Sequence, residues 1–131
     1  MLKQIVFQGA TCRVVIMDSI TKVGPDDARQ IVVSASHGGR SSGEFALAVP
    51  LRAVFFNDAG GGKDDAGIAA LAMLQDHGVA AGTVSHTSAR IGDSADTWDS
   101  GVVSHVNAAA AALGFAPGLS LQAAATRCAN R

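Results

Sequence analysis

Charge is the property that this sequence has least of. Only 16% of its 131 residues are charged, whereas 48% are hydrophobic, so the chain can bury a substantial core and does not have the composition of a disordered segment. The 10 lysines and arginines nearly balance the 11 acidic residues, which argues against a general binder of nucleic-acid backbones. Because so little of the surface can be charged, we expect part of it to be covered by further copies of the chain in a homo-oligomer.

Long hydrophobic runs and closely spaced cysteines are also missing. No stretch reaches the roughly 20 apolar residues of a membrane span, and the N-terminal segment lacks the apolar run and cleavage site of a signal peptide. The two cysteines, Cys12 and Cys128, lie near opposite ends of the sequence without metal-binding spacing. We interpret them as free thiols, since a disulfide would require an oxidising compartment. These absences predict a cytoplasmic protein with no membrane partner.

The residues that are present alternate between strand-like and helix-like segments. Strands are predicted at residues 4–7, 12–17, 30–35, 53–56 and 79–84. Helices are predicted at residues 43–49, 65–77, 98–113 and 119–128. This alternation is typical of a single α/β domain over residues 1–131, with a mostly parallel or mixed sheet of four to five strands, begun by an antiparallel pair, and helices packed on its faces. An α+β layer with helices on one side is the alternative.

Polar residues follow three of the predicted strands directly. The three clusters are Ser36-His37-Gly38-Gly39, Asn57-Asp58-Ala59-Gly60 and Ser85-His86-Thr87-Ser88. The carboxyl ends of parallel strands lie at one edge of a sheet, and ligands of open α/β sheets bind beyond that edge. We therefore expect the three clusters to converge on one site.

A glycine-rich loop separates the strand at 53–56 from the helix predicted to begin at Asp65. Its three consecutive glycines are Gly60, Gly61 and Gly62, and Lys63 follows them. Unpaired backbone N–H groups and a lysine at the start of a helix could hold a carboxylate or a phosphate. The spacing fits neither the P-loop nor the dinucleotide fingerprint. The alternative is a plain flexible connection, with Asp64 capping the helix.

Three residues in these clusters are candidates for catalysis. Asp58 follows a buried strand, where partial dehydration can shift its pKa, and is the best candidate for a catalytic carboxylate. His37 and His86 stand at strand ends, where a histidine can act as a general acid or base beside backbone N–H donors. The structural alternatives are an aspartate that bonds to turn N–H groups and histidines that pack or face water. His77 and His105 are assigned structural roles.

The remaining candidates would contact the substrate. Arg90 could pair with a substrate carboxylate or, alternatively, with Asp93 or Asp96 of its own loop. The predicted substrate-binding residues are Ser36, Gly38, Gly39, Asn57, Gly60, Gly61, Gly62, Lys63, Ser88 and Arg90. No spacing matches a calcium or zinc site. We therefore predict no metal and no cofactor, with Mg²⁺ bound between Asp58 and the substrate as the alternative.

Together these features predict a small enzyme that acts on an anionic, carboxylate-bearing metabolite as a hydrolase or lyase. Lys63 and Arg90 would hold the anion, Asp58 and His37 would move protons, and the loop N–H groups would stabilise developing charge. One alternative is a non-catalytic small-molecule-binding or regulatory subunit of a larger enzyme complex. Another is a structural homo-oligomer packed through alanine-rich segments at 108–112 and 123–125.

Overall fold

The strands of the computed structural model, which describes residues 1–131, lie side by side in the order of the chain. They are β1 (Lys3–Gln8), β2 (Arg13–Met17), β3 (Ile31–His37), β4 (Ala53–Asn57), β5 (Ala80–Val84) and β6 (Val103–Val106). β2 to β5 run parallel to one another, whereas β1 and β6 pair antiparallel at the two edges. The predicted α/β fold and the antiparallel first pair are confirmed, with six strands instead of four to five.

Helices cover both faces of this sheet. They are α1 (Arg40–Leu47), α2 (Ala69–Asp76), α3 (Ser94–Ser100), α4 (Ala108–Ala112) and α5 (Leu121–Ala129). Along β2, Val14 and Ile16 pack in the core with α3, α4 and α5, whereas Val15 and Met17 pack in the core with α1 and α2. Because successive strand side chains point to opposite faces, both faces of the central strands must be apolar. None of the helices combines the length and the apolar character that crossing a membrane requires.

The single helix predicted at 98–113 is wrong. The segment contains the end of α3, the strand β6 and the helix α4. Val102 and Val106 have helical spacing, but Val103 and Val106 pair with β5 opposite Val84 and Gly82. The backbone groups of β5 need partners on this side, and β-branched valines suit a strand. Tertiary pairing therefore outweighs the helical pattern.

Asn107 fixes the chain between β6 and α4. Its side chain is almost fully buried, and its Oδ1 accepts hydrogen bonds from the backbone N–H groups of Ala81 and Ala110. Its Nδ2 donates to the carbonyl oxygens of Leu71, at 3.2 Å, and Val79, at 2.9 Å. One amide side chain thus joins β5, α2 and α4.

The helix predicted at 65–77 begins four residues later than expected, at Ala69. Asp64 and Asp65 adopt left-handed conformations with φ of 54° and 57°, which an α-helix does not allow. The segment Lys63–Ile68 forms a distorted 3₁₀ turn instead. The glycine loop therefore does not open directly into α2.

Candidate functional site

The carboxyl ends of β3, β4 and β5 are neighbours, and the polar clusters that follow them share this edge of the sheet. His37 pairs with Asn57, and Asn57 pairs with Val84. The N–H of Asp58 donates to the carbonyl oxygen of Val84 at 2.9 Å. The structure thus brings His37, Asp58 and His86 to one edge, as parallel pairing requires.

Asp58 and His86 form a hydrogen-bonded pair. The Asp58 side chain is buried, and its Oδ1 accepts from the backbone N–H of Gly60 at 2.8 Å and from the backbone N–H of His86 at 3.1 Å. The same oxygen lies 3.3 Å from His86 Nδ1. Because a carboxylate only accepts, Nδ1 carries the ring proton and Nε2 is left as a base. The His86 side chain is 55% exposed, so this base is accessible.

The protonation state of Asp58 follows from two opposing effects. Burial by itself raises the pKa of this carboxyl group. Hydrogen bonds outweigh burial and hold the pKa below its ordinary value, and they come from the backbone of Gly60, the side chain of Ser104, and the backbone and ring of His86. Asp58 is therefore ionised at neutral pH, which suits a positioning residue for His86 better than a group that itself transfers protons.

We expect the free energy of unfolding to fall as the pH is lowered from about 5, and Asp58→Asn to flatten this dependence. The folded pKa of Asp58 lies below its unfolded value of about 3.9, so the unfolded state binds more protons in this interval. The stabilisation is complete above the unfolded pKa and is lost as the pH falls through the folded pKa. Urea unfolding at several pH values measures the slope.

Asp99→Asn is the control for this pH experiment. Asp99 is exposed on α3 and forms no ion pair, so this variant should keep the wild-type slope. If Asp58→Asn also kept it, the hydrogen bonds to Asp58 would not stabilise the folded state as argued.

His105 is a further histidine at this site, which the sequence analysis had placed in a helix. It lies on β6 opposite Thr83, and its Nδ1 is 3.2 Å from Thr83 Oγ1 and 4.0 Å from Asp58 Oδ2. Its side chain is 46% exposed. The missed signal was the short valine-rich segment between Gly101 and Asn107. Gly101 ends α3 and Asn107 caps the start of α4, so the segment between them is free to form a strand.

His37 has the opposite ring-proton arrangement to His86. The backbone N–H of Gly39 donates to His37 Nδ1 at 3.1 Å, so Nδ1 is the acceptor of the neutral ring and Nε2 carries the proton. β3 and β5 are separated by one strand, so their backbones lie about 10 Å apart. A ring N–H and a ring nitrogen without a proton thus stand at the same edge of the sheet.

Two grooves meet at His37. The first, which we call the cationic groove, has a volume of about 750 Å³ and is lined by His37, Gly39, Arg40, Ala59, Gly62, Lys63, Asp64, Ala66, Gly67 and Ala69. The second, which we call the serine groove, has a volume of about 370 Å³ and is lined by Asp18, Ser19, Ile20, Thr21, Ala35, Ser36, His37, Ser41, Ser42, Phe45, Ile91 and Gly92.

The cationic groove has unpaired donors suited to an anion. Arg40 and Lys63 are exposed and form no ion pair. The backbone N–H groups from Gly62 to Asp65 have no acceptor within the protein. Guanidinium, ammonium and clustered N–H groups are the donors that bind carboxylate and phosphate. Arg40 was not among the predicted residues, and its position directly after Gly38-Gly39 was the available signal.

Two of the predicted loop glycines have their N–H groups committed elsewhere. The N–H of Gly60 donates to Asp58 Oδ1, and the N–H of Gly61 donates to the Asp58 carbonyl oxygen at 2.8 Å. A Cβ on Gly60 would lie 3.5 Å from the ring of His86. These glycines therefore hold the Asp58–His86 pair in place, and the free N–H groups belong to the residues that follow them.

Gly38 serves close packing of the backbone. Its N–H donates to the Asn57 carbonyl oxygen, and its own carbonyl oxygen accepts from the N–H of Ala70. A Cβ on Gly38 would lie 2.5 Å from the carbonyl oxygen of Gly67, and a Cβ on Gly67 would lie 2.1 Å from the carbonyl oxygen of Asp58. Only glycines allow this approach of three loops, and one of them, Gly67, lines the cationic groove.

Four other predicted substrate-binding side chains make contacts within the protein. Ser36 accepts a backbone N–H from the loop after β2, and Asn57 bonds to backbone groups on both sides of its amide. The Ser88 hydroxyl donates to the carbonyl oxygen of Ser85 and accepts from the backbone N–H of Val102, just before β6. Arg90 lies 3.9 Å from Asp93, which was the alternative considered for it. Of these four, only Ser36 lines a groove.

No group of three or more histidine, cysteine, aspartate or glutamate side chains is arranged to hold a metal ion. The Asp58 oxygens that would bind Mg²⁺ already face the donors of Gly60, His86 and Ser104. The absence of a metal and a cofactor stays a prediction, with Mg²⁺ bound through Asp58 and a substrate as the alternative.

The fold and the site together define an α/β domain with a mixed sheet and a polar groove region at the carboxyl edge of its parallel strands. Comparison of the chain with protein-family models, with curated proteins and with solved structures gave no match. Function is therefore argued from the chemistry of the site, since a fold by itself does not specify one.

Proposed function

We propose that the protein is a small enzyme that binds an anionic, carboxylate-bearing metabolite and catalyses hydrolysis or elimination. The observation that carries this proposal is the pair of histidines with opposite proton arrangements at one sheet edge: His37 presents a ring N–H, and His86, oriented by Asp58, presents a free ring nitrogen. Both reactions need one group that accepts a proton and one that donates it.

In this mechanism the cationic groove holds the substrate's anionic group. Arg40 can bind a carboxylate through two N–H groups, and Lys63 adds a point charge. Nε2 of His86 takes a proton from water in hydrolysis, or from a carbon next to the carboxylate in elimination. Nε2–H of His37 donates a hydrogen bond to the leaving group and stabilises its developing charge. The proton that His86 has accepted then passes to the leaving group, which returns His86 to its starting state and balances the protons.

A non-catalytic binding or regulatory subunit is the second candidate. The observation in its favour is that His86 and His105 are 55% and 46% exposed, whereas enzymes commonly exclude water from reacting groups. A ligand-binding subunit has no such requirement. This candidate predicts ligand binding without turnover and a stoichiometric complex with a larger enzyme.

The proposal includes a cytoplasmic, homo-oligomeric protein. The two cysteines are free and buried, which fits a reducing compartment. Ile5 is 55% exposed on the edge strand β1, and covering such a side chain would support association between copies. Light scattering measures the oligomeric state directly.

The anion site is tested by titration with succinate, followed by ¹H–¹⁵N NMR. We expect the resonances of Gly62 to Asp65 to shift and the Arg40→Gln/Lys63→Gln variant to bind at least about tenfold more weakly, since hydrogen bonds to charged groups contribute about 1.5–3 kcal/mol each. A screen of esters, amides and hydroxy acids then measures turnover by the wild-type protein.

The matched control removes the same charge elsewhere, in Lys22→Gln/Arg127→Gln, at two exposed positions outside the cationic groove. Equal weakening in both double variants would mean that succinate senses only net charge, and the proposed anion site would be wrong. Specific succinate binding without turnover of any tested compound would favour the non-catalytic candidate.

A further inference from the structure

The serine groove lies on the other side of His37 from the cationic groove, between the loop after β2 and the start of α1. Its volume of about 370 Å³ falls within the range of roughly 300–1,000 Å³ that is typical of small-molecule sites. The sequence analysis assigned only Ser36 and His37 to this region. Its other side chains have properties that define a ligand.

Two large apolar side chains border this groove and are exposed. Phe45 on α1 is 45% exposed, and Ile91 in the loop after β5 is 50% exposed. Exposed apolar side chains that border one groove gain free energy when a ligand covers them, in proportion to the apolar area removed from water. This part of the groove therefore suits an aryl or branched alkyl group.

The start of α1 supplies hydrogen-bond donors to the same groove. The backbone N–H groups of Arg40, Ser41 and Ser42 have no acceptor within the protein, and Gly39 at the N-cap provides no capping side chain. The first turn of a helix carries a partial positive charge. A carboxylate is the acceptor that satisfies such donors.

Ser42 gives independent support for a ligand. Its relative exposure is only 5%, yet it lines the groove and its hydroxyl forms no hydrogen bond within the protein. The hydroxyl oxygen itself is not sealed from the groove. An oxygen of a bound ligand would replace water as its hydrogen-bond partner.

The acidic side chain that lines the groove, Asp18, is hydrogen-bonded to donors of the protein. Asp18 Oδ1 accepts from the N–H and the hydroxyl of Ser94, and Oδ2 accepts from the N–H of Leu2. These hydrogen bonds hold the pKa of Asp18 below its ordinary value, and the bond from the Ser94 N–H has the largest effect. The carboxylate of Asp18 is thus occupied by internal donors and leaves those of α1 free.

We propose that the serine groove binds a carboxylate attached to an aryl or branched alkyl group. The carboxylate oxygens accept from the first N–H groups of α1 and from the Ser42 hydroxyl, and the apolar group lies against Phe45 and Ile91. The link of this groove to turnover rests on the proposed function. If both hold, the substrate has two anionic groups: a carboxylate with an attached apolar group in the serine groove, and a second anionic group in the cationic groove.

The test compares three probes, namely phenylacetate, acetate and phenylacetamide, by NMR titration. Phenylacetate should shift the amide resonances of Ser41, Ser42 and Gly92. It should bind at least about tenfold more tightly than acetate, because its ring buries apolar surface, and more tightly than phenylacetamide, because the helix start favours negative charge. If acetate and phenylacetate bound with equal affinity, the proposed apolar contact with Phe45 and Ile91 would be wrong. If phenylacetamide and phenylacetate bound with equal affinity, the proposed recognition of a carboxylate would be wrong.

Two variants locate the binding. Ile91→Ala should weaken phenylacetate binding about fivefold, whereas Ile5→Ala, at a similarly exposed isoleucine on β1, should leave it unchanged. Ser42→Ala should weaken acetate and phenylacetate by a similar factor of about five. Equal effects of Ile91→Ala and Ile5→Ala would place phenylacetate outside this groove.

These measurements separate this proposal from the proposed function. Binding of phenylacetate in the serine groove by a protein without any turnover would contradict the enzyme proposal alone. Turnover with intact succinate binding, but without specific phenylacetate binding, would contradict the serine-groove proposal alone.

Discussion

Replacing His86 with alanine is expected to lower the turnover number of a substrate found in the screen by about 10²- to 10⁴-fold, the usual contribution of a general base. Asp58 directs the proton of His86 to Nδ1 and leaves Nε2 free to accept a proton. The ring is 55% exposed, so its removal should barely change folding. Far-UV circular dichroism and urea unfolding check that the variant is folded.

His77→Ala is the matched control for this variant. His77 is an exposed histidine at the end of α2, and its ring contacts only the carbonyl oxygen of Met73, at 3.0 Å. Turnover by this variant should equal that of the wild type. If His86→Ala retained full turnover as well, His86 would not be the base, and the proposed mechanism would be wrong.

Asp58→Asn separates positioning from proton transfer. An amide can donate to His86 Nδ1, which would move the ring proton to Nε2 and remove the base. We expect turnover to fall while the substrate still binds, so that kcat decreases with little change in KM. A rise in KM alone would assign Asp58 to substrate binding instead.

Asn107→Ala is expected to lower the free energy of unfolding by about 4 kcal/mol, because each lost hydrogen bond contributes about 1 kcal/mol and a buried group left unpaired costs more. The side chain makes four such bonds to the backbone of Leu71, Val79, Ala81 and Ala110. Alanine would leave two N–H groups and two carbonyl oxygens without these partners. The change should appear as a lower urea midpoint with a similar m-value.

Asn130→Ala provides the comparison for this stability experiment. Asn130 is exposed at the end of α5, and its Oδ1 accepts one hydrogen bond, from the N–H of Ala10 at 3.1 Å. Its loss should cost about 1 kcal/mol or less. Equal effects of the two variants would show that Asn107 does not join β5, α2 and α4 as the structure indicates.

The parallel core could be predicted because its signals are local and repeated. Runs such as Ile31 to Val33 are apolar at every position, which is typical of a strand covered on both faces. The polar residues that follow each run mark its carboxyl end. Parallel neighbours then place His37, Asp58 and His86 at one edge without further information.

The parts that could not be predicted depend on contacts distant in sequence. Val102 and Val106 have spacing that suits a helix, and only pairing with the edge of β5 makes that segment a strand. The same strand pairing places His105 opposite Thr83 and therefore near Asp58. Asp64 and Asp65 resemble a helix start, but close packing of Gly67 on Asp58 holds the loop in a left-handed conformation instead.

The sequence by itself determined the order of strands and helices up to β5 and the polar residues that follow β3, β4 and β5, because hydrophobic periodicity and turn residues act over a few neighbouring positions. Only the tertiary structure decided which polar atoms remain free for a ligand. Asn57 and Ser88 are used internally, whereas Arg40, Lys63 and the Ser42 hydroxyl are not. Hydrogen-bond partners come from any part of the folded chain, so their assignment depends on three-dimensional proximity.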